Sequence, residues 1–153
     1  RKIAVAGLNA HCSENGLFGR EEIEAISPAI CRAQKEGIEV EGPIPADTVF
    51  VKAAAGQYGI VVAMYHDQGH IPVKMDGFHM DPETGEFESV SGINCTIGLP
   101  IIRTSVDHGT AFDRGGKGVG NENSMIEAIK MPVTIAEKTG EGGGYGKDVR
   151  HCR

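Results

Sequence analysis

Tryptophan is absent from this 153-residue sequence, and aromatic residues make up only 5% of it. Proteins that bind single-stranded nucleic acid stack bases on aromatic side chains, so the sequence offers little material for such a surface. Basic residues are also few: 15 Lys and Arg stand against 21 Asp and Glu, which gives a net charge of -6. Because phosphate backbones are bound by clusters of positive charge, we expect no nucleic acid partner.

Long apolar runs and closely spaced cysteines are lacking as well. No run approaches the roughly 20 apolar residues that a membrane-spanning helix needs, so we expect no membrane segment. The start, RKIAVAGLNAH, has neither an initiator Met nor a signal-peptide pattern, which predicts a piece of a longer chain. The cysteines show no CxxC spacing, and scattered thiols of this kind predict a reducing cytoplasm. They are Cys12, Cys31, Cys95 and Cys152.

The hydrophobic pattern predicts strands that alternate with helices, which is typical of an α/β architecture. Residues 58–65, YGIVVAMY, form the clearest strand, and their near-continuous apolarity predicts burial on both faces. Pro28 and Pro132 predict kinks in their helices. The other strand candidates are residues 2–8, 38–40 and 92–99, and the helix candidates are residues 20–35, 46–55 and 124–138. Residues 75–90 are predicted to form a hairpin or an excursion loop. Residues 103–123 are predicted to form a polar loop, and residues 140–153 a flexible tail.

Three polar clusters follow strand candidates, at residues 9–14, 66–74 and 103–113. In α/β folds, ligands bind beyond the carboxyl ends of the strands. The common position of the clusters therefore predicts one shared site.

His11 and His66 are the candidate metal ligands of the first two clusters. Neutral imidazole is the commonest protein ligand for a divalent metal, and two histidines on neighbouring strand ends could share one ion. The spacing alone is equally compatible with two hydrogen-bonded loop histidines. Asp67 either orients a ligating ring from behind or caps the following turn.

Lys74 and Arg103 supply the candidate anion site, since Lys offers a compact cation and Arg a bidentate fork for phosphate or carboxylate. The alternative for each is ordinary surface charge. In the third cluster, Asp107 and His108 could hydrogen-bond a ribose or an amide, and the glycines of residues 109–120 allow close approach of backbone to a ligand. This segment does not stand between a strand and a helix, so a Rossmann fingerprint is a weak interpretation.

The chain resembles the PdxA family, the 4-hydroxythreonine-4-phosphate dehydrogenases. The matching runs are GLNAH-x-x-EN-x-x-FG-x-EE, GP-x-PADT-x-F, AMYHDQG-x-x-P-x-K and GIN-x-T-x-GLP-x-IRTSVDHGTA-x-D, in family order. The resemblance implies the later part of an enzyme about twice this size. It also implies a three-layer α/β sandwich with a mixed sheet, like that of isocitrate and isopropylmalate dehydrogenases, with the cofactor- and metal-binding part at residues 1–139.

The resemblance also implies roles for particular residues. His11 and His66 match two of three histidines that bind the divalent metal, which is Zn, Mg, Mn or Co, and Asp67 supports them. Lys74, Asn94 and Arg103 match residues that bind the phosphorylated substrate. A third set resembles the loop that holds the adenosine of NAD or NADP in related folds. This set consists of Asp107, His108, Gly109, Thr110 and Asp113, and the resemblance places Asn121 near the adenine.

The chemistry that the resemblance implies is hydride transfer from a secondary alcohol of 4-phosphohydroxy-L-threonine to NAD(P)+, followed by decarboxylation, in the synthesis of pyridoxal phosphate. The family works as a cytoplasmic homodimer whose active site is shared between subunits. His70 resembles a second, catabolic branch that oxidises D-threonate or D-erythronate 4-phosphate, and other relatives oxidise dihydrodiols. A non-catalytic dimerising fragment is the alternative from a different class.

Departures from the family pattern occur in two places. Ala10 stands where the family usually has Pro, and Cys12 and Ser13 stand where it has Ala-Gly or Gly-Gly. The segment 75–91 is longer than in the biosynthetic enzyme. These departures leave the expected metal site intact and leave the identity of the substrate open.

Overall fold

The structure, a computed structural model, describes residues 2–85, 87–110, 112 and 115–139. The chain divides into two compact units, Arg1–Lys74 and Met75–Arg153. Strands and helices alternate along the first unit, and the second unit combines four strands with one long helix, which confirms the α/β class. The predicted tail at 140–153 and the candidate cofactor residue Asp113 lie outside the described residues.

A three-stranded parallel sheet forms the first unit, in the order β2-β1-β3. The strands are β1, Ile3–Ala6; β2, Val40–Ile44; and β3, Ile60–Val62. The strand predicted at 38–40 thus begins later and runs through Pro43. An edge strand tolerates a proline because one side of its backbone has no neighbour that needs the missing N–H.

Helices cover both faces of β1. Ala4 and Ala6 pack with Ile44 and with Val49 of α2, Ala46–Ala54. Val5 points to the opposite face, where it packs with Val40 and with Ile30 of α1, Ser27–Lys35. Successive side chains of a strand alternate between faces. Helix α2 therefore packs on one face of β1 and α1 on the other, which gives three layers within this unit.

The helix predicted at 20–35 is not uniform. A wide π-helical turn, Glu22–Ile26, precedes α1, and Pro28 is the second residue of α1. Proline lacks the N–H that an α-helical ladder needs, and local widening of this kind is one way in which a helix accommodates it. The irregularity of the helix, predicted as a kink at Pro28, is therefore a π-helical turn that ends just before this proline.

Two expectations for the middle of the chain are wrong. The strand predicted at 58–65 shrinks to three residues, and Ile60 and Val62 are 59% and 44% exposed rather than buried, because the buried clusters form around β1 and β2 and only Val61 of β3 packs against them. The polar loop expected at 66–74 is instead helix α3, His66–Gly77. Gly69 and Pro72 disfavour a helix by intrinsic propensity, but tertiary hydrogen bonds in the first turn outweigh that preference.

The second unit consists of two antiparallel ladders and one long helix. The hairpin expected at 75–90 is confirmed by β4, Phe78–Met80, and β5, Phe87–Val90, with Asp81 accepting from the N–H groups of Glu83 and Thr84 in the turn.

Strand β6, Ile93–Thr96, pairs with β7, Arg103–Val106, where a loop was expected. Helix α4, Asn123–Thr139, contains Pro132. Among the described residues, none of the helices has the length and apolarity that crossing a bilayer requires.

Glu22 holds the backbone that leaves β1. Its Oε1 accepts from the N–H of Leu8 at 2.8 Å and of Asn9 at 2.6 Å, and its Oε2 accepts from Nδ2 of Asn9 at 2.9 Å. Glu22 is only 2% exposed. Burial opposes ionisation of this carboxyl, but the hydrogen bonds from Asn9 and Leu8 outweigh it, and the pKa of Glu22 is lowered from 4.5.

Gly42 supplies a test of the packing between β1 and β2. Its φ is +147°, and a Cβ at this position would lie 2.6 Å from the carbonyl oxygen of Val5. Gly37, with φ +86° and nothing within 4 Å of a Cβ, is the matched control. We expect Gly37→Ala to cost about 1 kcal/mol of unfolding free energy for its positive φ, and Gly42→Ala to cost about 1–3 kcal/mol more for the clash. Urea denaturation of the full-length protein measures both, and equal midpoints would contradict this packing.

The carboxylate of Glu22 supplies a test by pH. Because its pKa is lowered in the folded state, its ionisation stabilises the fold above pH 4.5, and that contribution is lost as the pH falls below 4.5 through the folded-state pKa. Glu22→Gln should therefore lower stability at about pH 7 and flatten the loss of stability as the pH falls below 4.5.

Glu24→Gln is the control for this experiment, since Glu24 pairs with Arg20 at an exposed position on the same turn. Exposed ion pairs contribute little to stability, so this variant should keep the wild-type pH profile. Thermal melts across the pH range measure the effect. Identical profiles for the two variants would show that Glu22 does not hold the loop.

Candidate active site

A strained turn carries His11. After β1 the chain forms a short helical turn, Ala10–Glu14, and the five consecutive non-glycine residues 11–15 have φ between 43° and 65°. Left-handed backbone costs an L-residue about 1–2 kcal/mol, so such a run persists only when its surroundings impose it. Sequence reasoning missed this turn, because no glycine marks it. Its members are His11, Cys12, Ser13, Glu14 and Asn15.

His66 opens helix α3, four residues after the end of β3. Oδ1 of Asp67 lies 2.7 Å from Nδ1 of His66, and the two side chains are 76% and 74% exposed. A carboxylate at that distance accepts a hydrogen bond from Nδ1–H, which leaves the lone pair of the imidazole on Nε2. This contact is what a supporting role for Asp67 requires, and the role itself stays a prediction.

The donor set fits part of a metal site. Two imidazoles follow adjacent parallel strands, and one of them is backed by a carboxylate in the arrangement that fixes the tautomer of a ligating histidine. Within the ranges that the structure describes, no group of three or more His, Cys, Asp or Glu side chains is placed to hold a metal ion. Further ligands would therefore have to complete the pair of His11 and His66.

His70 and Lys74 lie further along α3. The ring of His70 stacks on that of His66, with 4.1 Å between centroids and 10° between planes. Residues four apart lie on the same face of a helix, so the stacking follows from the helix that sequence reasoning did not expect. Lys74 follows His66 by eight residues, or about 12 Å along the helix axis. Its expected contact with substrate stays a prediction.

Gln68 was not among the expected site residues. It is 8% exposed, its Oε1 accepts from the N–H of Met64 at 2.7 Å, and its Nε2 donates to the carbonyl of Gly7 at 2.8 Å. These contacts join the segment that leads into His66 to the segment that leads into His11. A glutamine early in a helix that reaches back to a preceding N–H resembles half of a capping box, and recognising a helix at 66–77 would have revealed that signal.

Asn94 and Arg103 lie in the ladder of β6 and β7. Asn94 is opposite Ser105, and Thr96 is opposite Arg103. Opposite residues share a face, as do alternate residues of one strand, so the structure brings Asn94 and Arg103 to the same face of the ladder. Nη1 of Arg103 donates to Oγ1 of Thr96 at 2.8 Å, which holds the guanidinium along this face.

Ser124 of α4 positions Asp107, which follows β7. The hydroxyl of Ser124 donates to the carbonyl of Gly92 at 2.8 Å and accepts from the N–H of Asp107 at 3.4 Å. Ser124 is 1% exposed. Sequence reasoning treated it only as the start of a helix, since its partners are 17 and 32 residues away.

The remaining candidate cofactor residues have mostly local contacts. His108, Gly109 and Thr110 are exposed, and Nδ1 of His108 lies 3.0 Å from the carbonyl oxygen of Gly109. The side chain of Asn121 accepts from the N–H of Asn123 at 2.9 Å, where α4 begins. Ser and Asn commonly accept such bonds at helix starts. The expected contacts with a nucleotide stay predictions.

Comparisons with known proteins give one consistent family. The family described as "Pyridoxal phosphate biosynthetic protein PdxA" matches residues 1–132. A protein of Bradyrhizobium diazoefficiens, provisionally named D-threonate 4-phosphate dehydrogenase, is 60% identical over 135 residues, 88% of this chain and 39% of that protein. The 4-hydroxythreonine-4-phosphate dehydrogenase of Geobacter metallireducens is 50% identical over 143 residues, 94% of this chain and 39% of that protein. The chain spans about two-fifths of the length of these relatives.

Solved structures show the same relationship. The chain is similar to a crystal structure of 4-hydroxythreonine-4-phosphate dehydrogenase from Klebsiella pneumoniae, with a TM-score of 0.70 and 50% identity, over 88% of this chain and 37% of that one. It is also similar to a terephthalate 1,2-cis-dihydrodiol dehydrogenase from Burkholderia xenovorans, with a TM-score of 0.56 and 31% identity, over 88% of this chain and 40% of that one. The fold is therefore that of isocitrate and isopropylmalate dehydrogenases, as expected. With a family match over 132 of its 153 residues, the chain belongs to the PdxA family.

Proposed function

We propose that the full-length protein is a metal- and NAD(P)-dependent dehydrogenase that oxidises and decarboxylates a phosphorylated hydroxy acid. The observation that carries this proposal is the 60% identity, over 88% of the chain, to a protein provisionally named D-threonate 4-phosphate dehydrogenase. The contact of His66 with Asp67 and the shared face of Asn94 and Arg103 support it from the structure.

D-threonate 4-phosphate is the favoured substrate. Relatives with that name reach 60% and 57% identity, whereas the 4-hydroxythreonine-4-phosphate dehydrogenase of Geobacter metallireducens reaches 50%. The presence of His70 agrees with this choice, because it was the position that suggested the catabolic branch. The second candidate is 4-phosphohydroxy-L-threonine, which the Geobacter relative and the Klebsiella structure favour by their names.

His11 and His66 would hold the divalent metal, which would supply Lewis-acid polarisation of the substrate oxygens. Asp67 keeps the proton of His66 on Nδ1, which leaves the lone pair of the imidazole on Nε2. The strained turn of residues 11–15 fixes the direction in which His11 leaves the sheet. These residues orient the substrate without themselves taking part in hydride transfer.

Asn94, Arg103 and Lys74 would bind the phosphate and fix the alcohol carbon relative to the nicotinamide. A guanidinium has five N–H donors, and the bond from Nη1 to Thr96 leaves the fork able to bind phosphate oxygens. Bound NAD(P)+ would supply the acceptor for the hydrogen on the alcohol carbon, and the hydroxyl proton would leave to solvent. The resulting 3-oxo acid loses CO2 when the carbon-carbon bond to the carboxylate breaks, and protonation of the enolate completes the reaction.

Asp107, His108, Gly109 and Thr110 would contact the cofactor, with Ser124 holding the backbone of Asp107 in place. Asp113 and Asn121 complete the proposed set. Asn121 would have to combine a nucleotide contact with its present bond at the start of α4.

A homodimer in the cytoplasm is the proposed assembly. Helix α4 exposes an apolar stripe at every fourth residue, where Met125, Ile129 and Val133 are 51%, 62% and 56% exposed. A stripe of this kind can pack against its own copy in a symmetric interface. Cys12, Cys31 and Cys95 are free thiols, which agrees with a reducing compartment.

The test compares substrates in the full-length protein. Purified enzyme is given Co²⁺ or Zn²⁺, NAD+ or NADP+, and one of three acids: D-threonate 4-phosphate, D-erythronate 4-phosphate or 4-phosphohydroxy-L-threonine. Reduced nicotinamide and released CO2 are followed together. We expect D-threonate 4-phosphate to have the highest kcat/KM, by about tenfold or more, since a site built around substrate hydroxyls rejects analogues that misplace them.

His66→Ala is the matched loss-of-function variant, and His79→Ala, an exposed histidine of β4, is its control. His66→Ala should lose both metal uptake and turnover, whereas His79→Ala should keep both. Unchanged metal affinity in His66→Ala would contradict the role of His66. Absence of turnover with all three acids would contradict the proposed reaction.

A further inference from the structure

We propose that His70 is a positioning residue whose ring holds the imidazole of His66 in the orientation that binds metal. The inference rests on the proposed function through His66 alone. It holds whichever chain supplies the remaining metal ligands, because both rings stand on the same helix, α3.

The first step is the stack itself. The ring centroids of His66 and His70 lie 4.1 Å apart, and the ring planes differ by 10°. Residues four apart occupy the same face of a helix, so α3 brings the two rings together. Stacked aromatic side chains attract each other beyond the burial of their surfaces. One face of the His66 ring is therefore held against a second ring.

The second step is the difference in exposure between the two rings. The side chain of His66 is exposed, whereas His70 is half-buried. An exposed side chain exchanges among several rotamers, and immobilising it when a ligand binds lowers the affinity for that ligand. The more confined ring of His70 offers a surface that keeps His66 in one orientation before metal arrives.

The third step is that the two neighbours of His66 restrain different parts of its ring. Oδ1 of Asp67 lies 2.7 Å from Nδ1, at one edge of the imidazole. A hydrogen bond at one edge restrains that edge, whereas a ring stacked on the face restrains the plane. His70 thus supplies a restraint that the carboxylate alone does not.

The fourth step is the backbone between the two histidines. Gln68 is 8% exposed, and its Nε2 donates to the carbonyl of Gly7 at 2.8 Å. A Cβ at Gly69 would lie 3.2 Å from Cβ of Ala63, so the helix lies close against the segment that follows β3. The first turn of α3 is therefore fixed, and the stack on it has little room to slide. Sites of this kind need ligand rotamers that are locked by their neighbours.

The experiment compares three variants of the full-length protein. His70→Ala removes the ring, and His70→Phe keeps a stacking ring while it removes both nitrogens. Ile71→Ala is the matched control, because Ile71 is an exposed residue of the same helix and lies outside the stack. His70→Leu, which fills the volume without a ring, replaces His70→Ala if that variant does not fold.

Three measurements are made on each variant. Co²⁺ is titrated into metal-free protein, and the d–d absorption of the bound ion is recorded at saturation. In metal-free protein the NMR resonances of His66 are identified by their absence in His66→Ala. They report the stack directly, because an aromatic ring shifts the resonances of protons above its face. Thermal melts check folding.

We expect His70→Ala to bind Co²⁺ about three- to tenfold more weakly than wild type, which is the contribution of one stacked pair. Its d–d spectrum and the resonances of His66 should also change. His70→Phe should return the affinity to within about twofold of wild type. Ile71→Ala should keep the affinity, the spectrum and the resonances. A general loss of stability would produce neither the spectral change nor the rescue by phenylalanine.

The contradicting outcomes separate this inference from the proposed function. Co²⁺ affinity that is insensitive to His66→Ala would overturn the proposed site, and the inference with it. If His66 is required but His70→Ala stays within about twofold of Ile71→Ala and keeps its spectrum, the inference alone is overturned. Equally weak binding by His70→Ala and His70→Phe would show that a nitrogen of His70 is needed rather than its face, and would also overturn it.

Discussion

The structure of the first unit depends on how the backbone is hydrogen-bonded where it leaves the sheet after β1. The carbonyl of Gly7 and the N–H groups of Leu8 and Asn9 are bonded by the side chains of Gln68 and Glu22. Both side chains are buried, and they come from different helical segments. They allow a left-handed turn to follow without glycine, and that turn carries the first histidine of the proposed site.

In the second unit, too, a side chain from a helix hydrogen-bonds the backbone next to the strands. Ser124 bonds the carbonyl of Gly92 before β6 and the N–H of Asp107 after β7, and Oγ1 of Thr104 donates to the carbonyl of Ala128 at 2.6 Å. Side chains that sequence reasoning did not single out thus hold the segments that carry the candidate site residues. In both units, the positioning residue lies on a helix and the candidate ligand residue on the loop that it fixes.

Sequence reasoning found the features that depend on local pattern. The short apolar run of β1, the hairpin at 75–90, and the proximity of Asp67 to His66 are all set by near neighbours in the chain. It missed what depends on distant partners: the helix at 66–77 forms despite Gly69 and Pro72, and the segment at 103–106 becomes a strand because β6 pairs with it. The apolarity of residues 60–62 predicted burial, but apolarity does not specify whether a strand lies at the centre or the edge of its sheet.

His11 and His66, at the ends of β1 and β3, are the proposed ligands of one metal ion. The most direct measurement is anomalous scattering at the zinc absorption edge from crystals of the full-length protein grown with Zn²⁺. We expect one strong peak bonded to Nε2 of His66 and to His11, at about 2.0–2.1 Å from each nitrogen, with Nδ1 of His66 still directed at Asp67. A peak that contacts only one of the two histidines, or that binds Nδ1 of His66, would contradict this assignment.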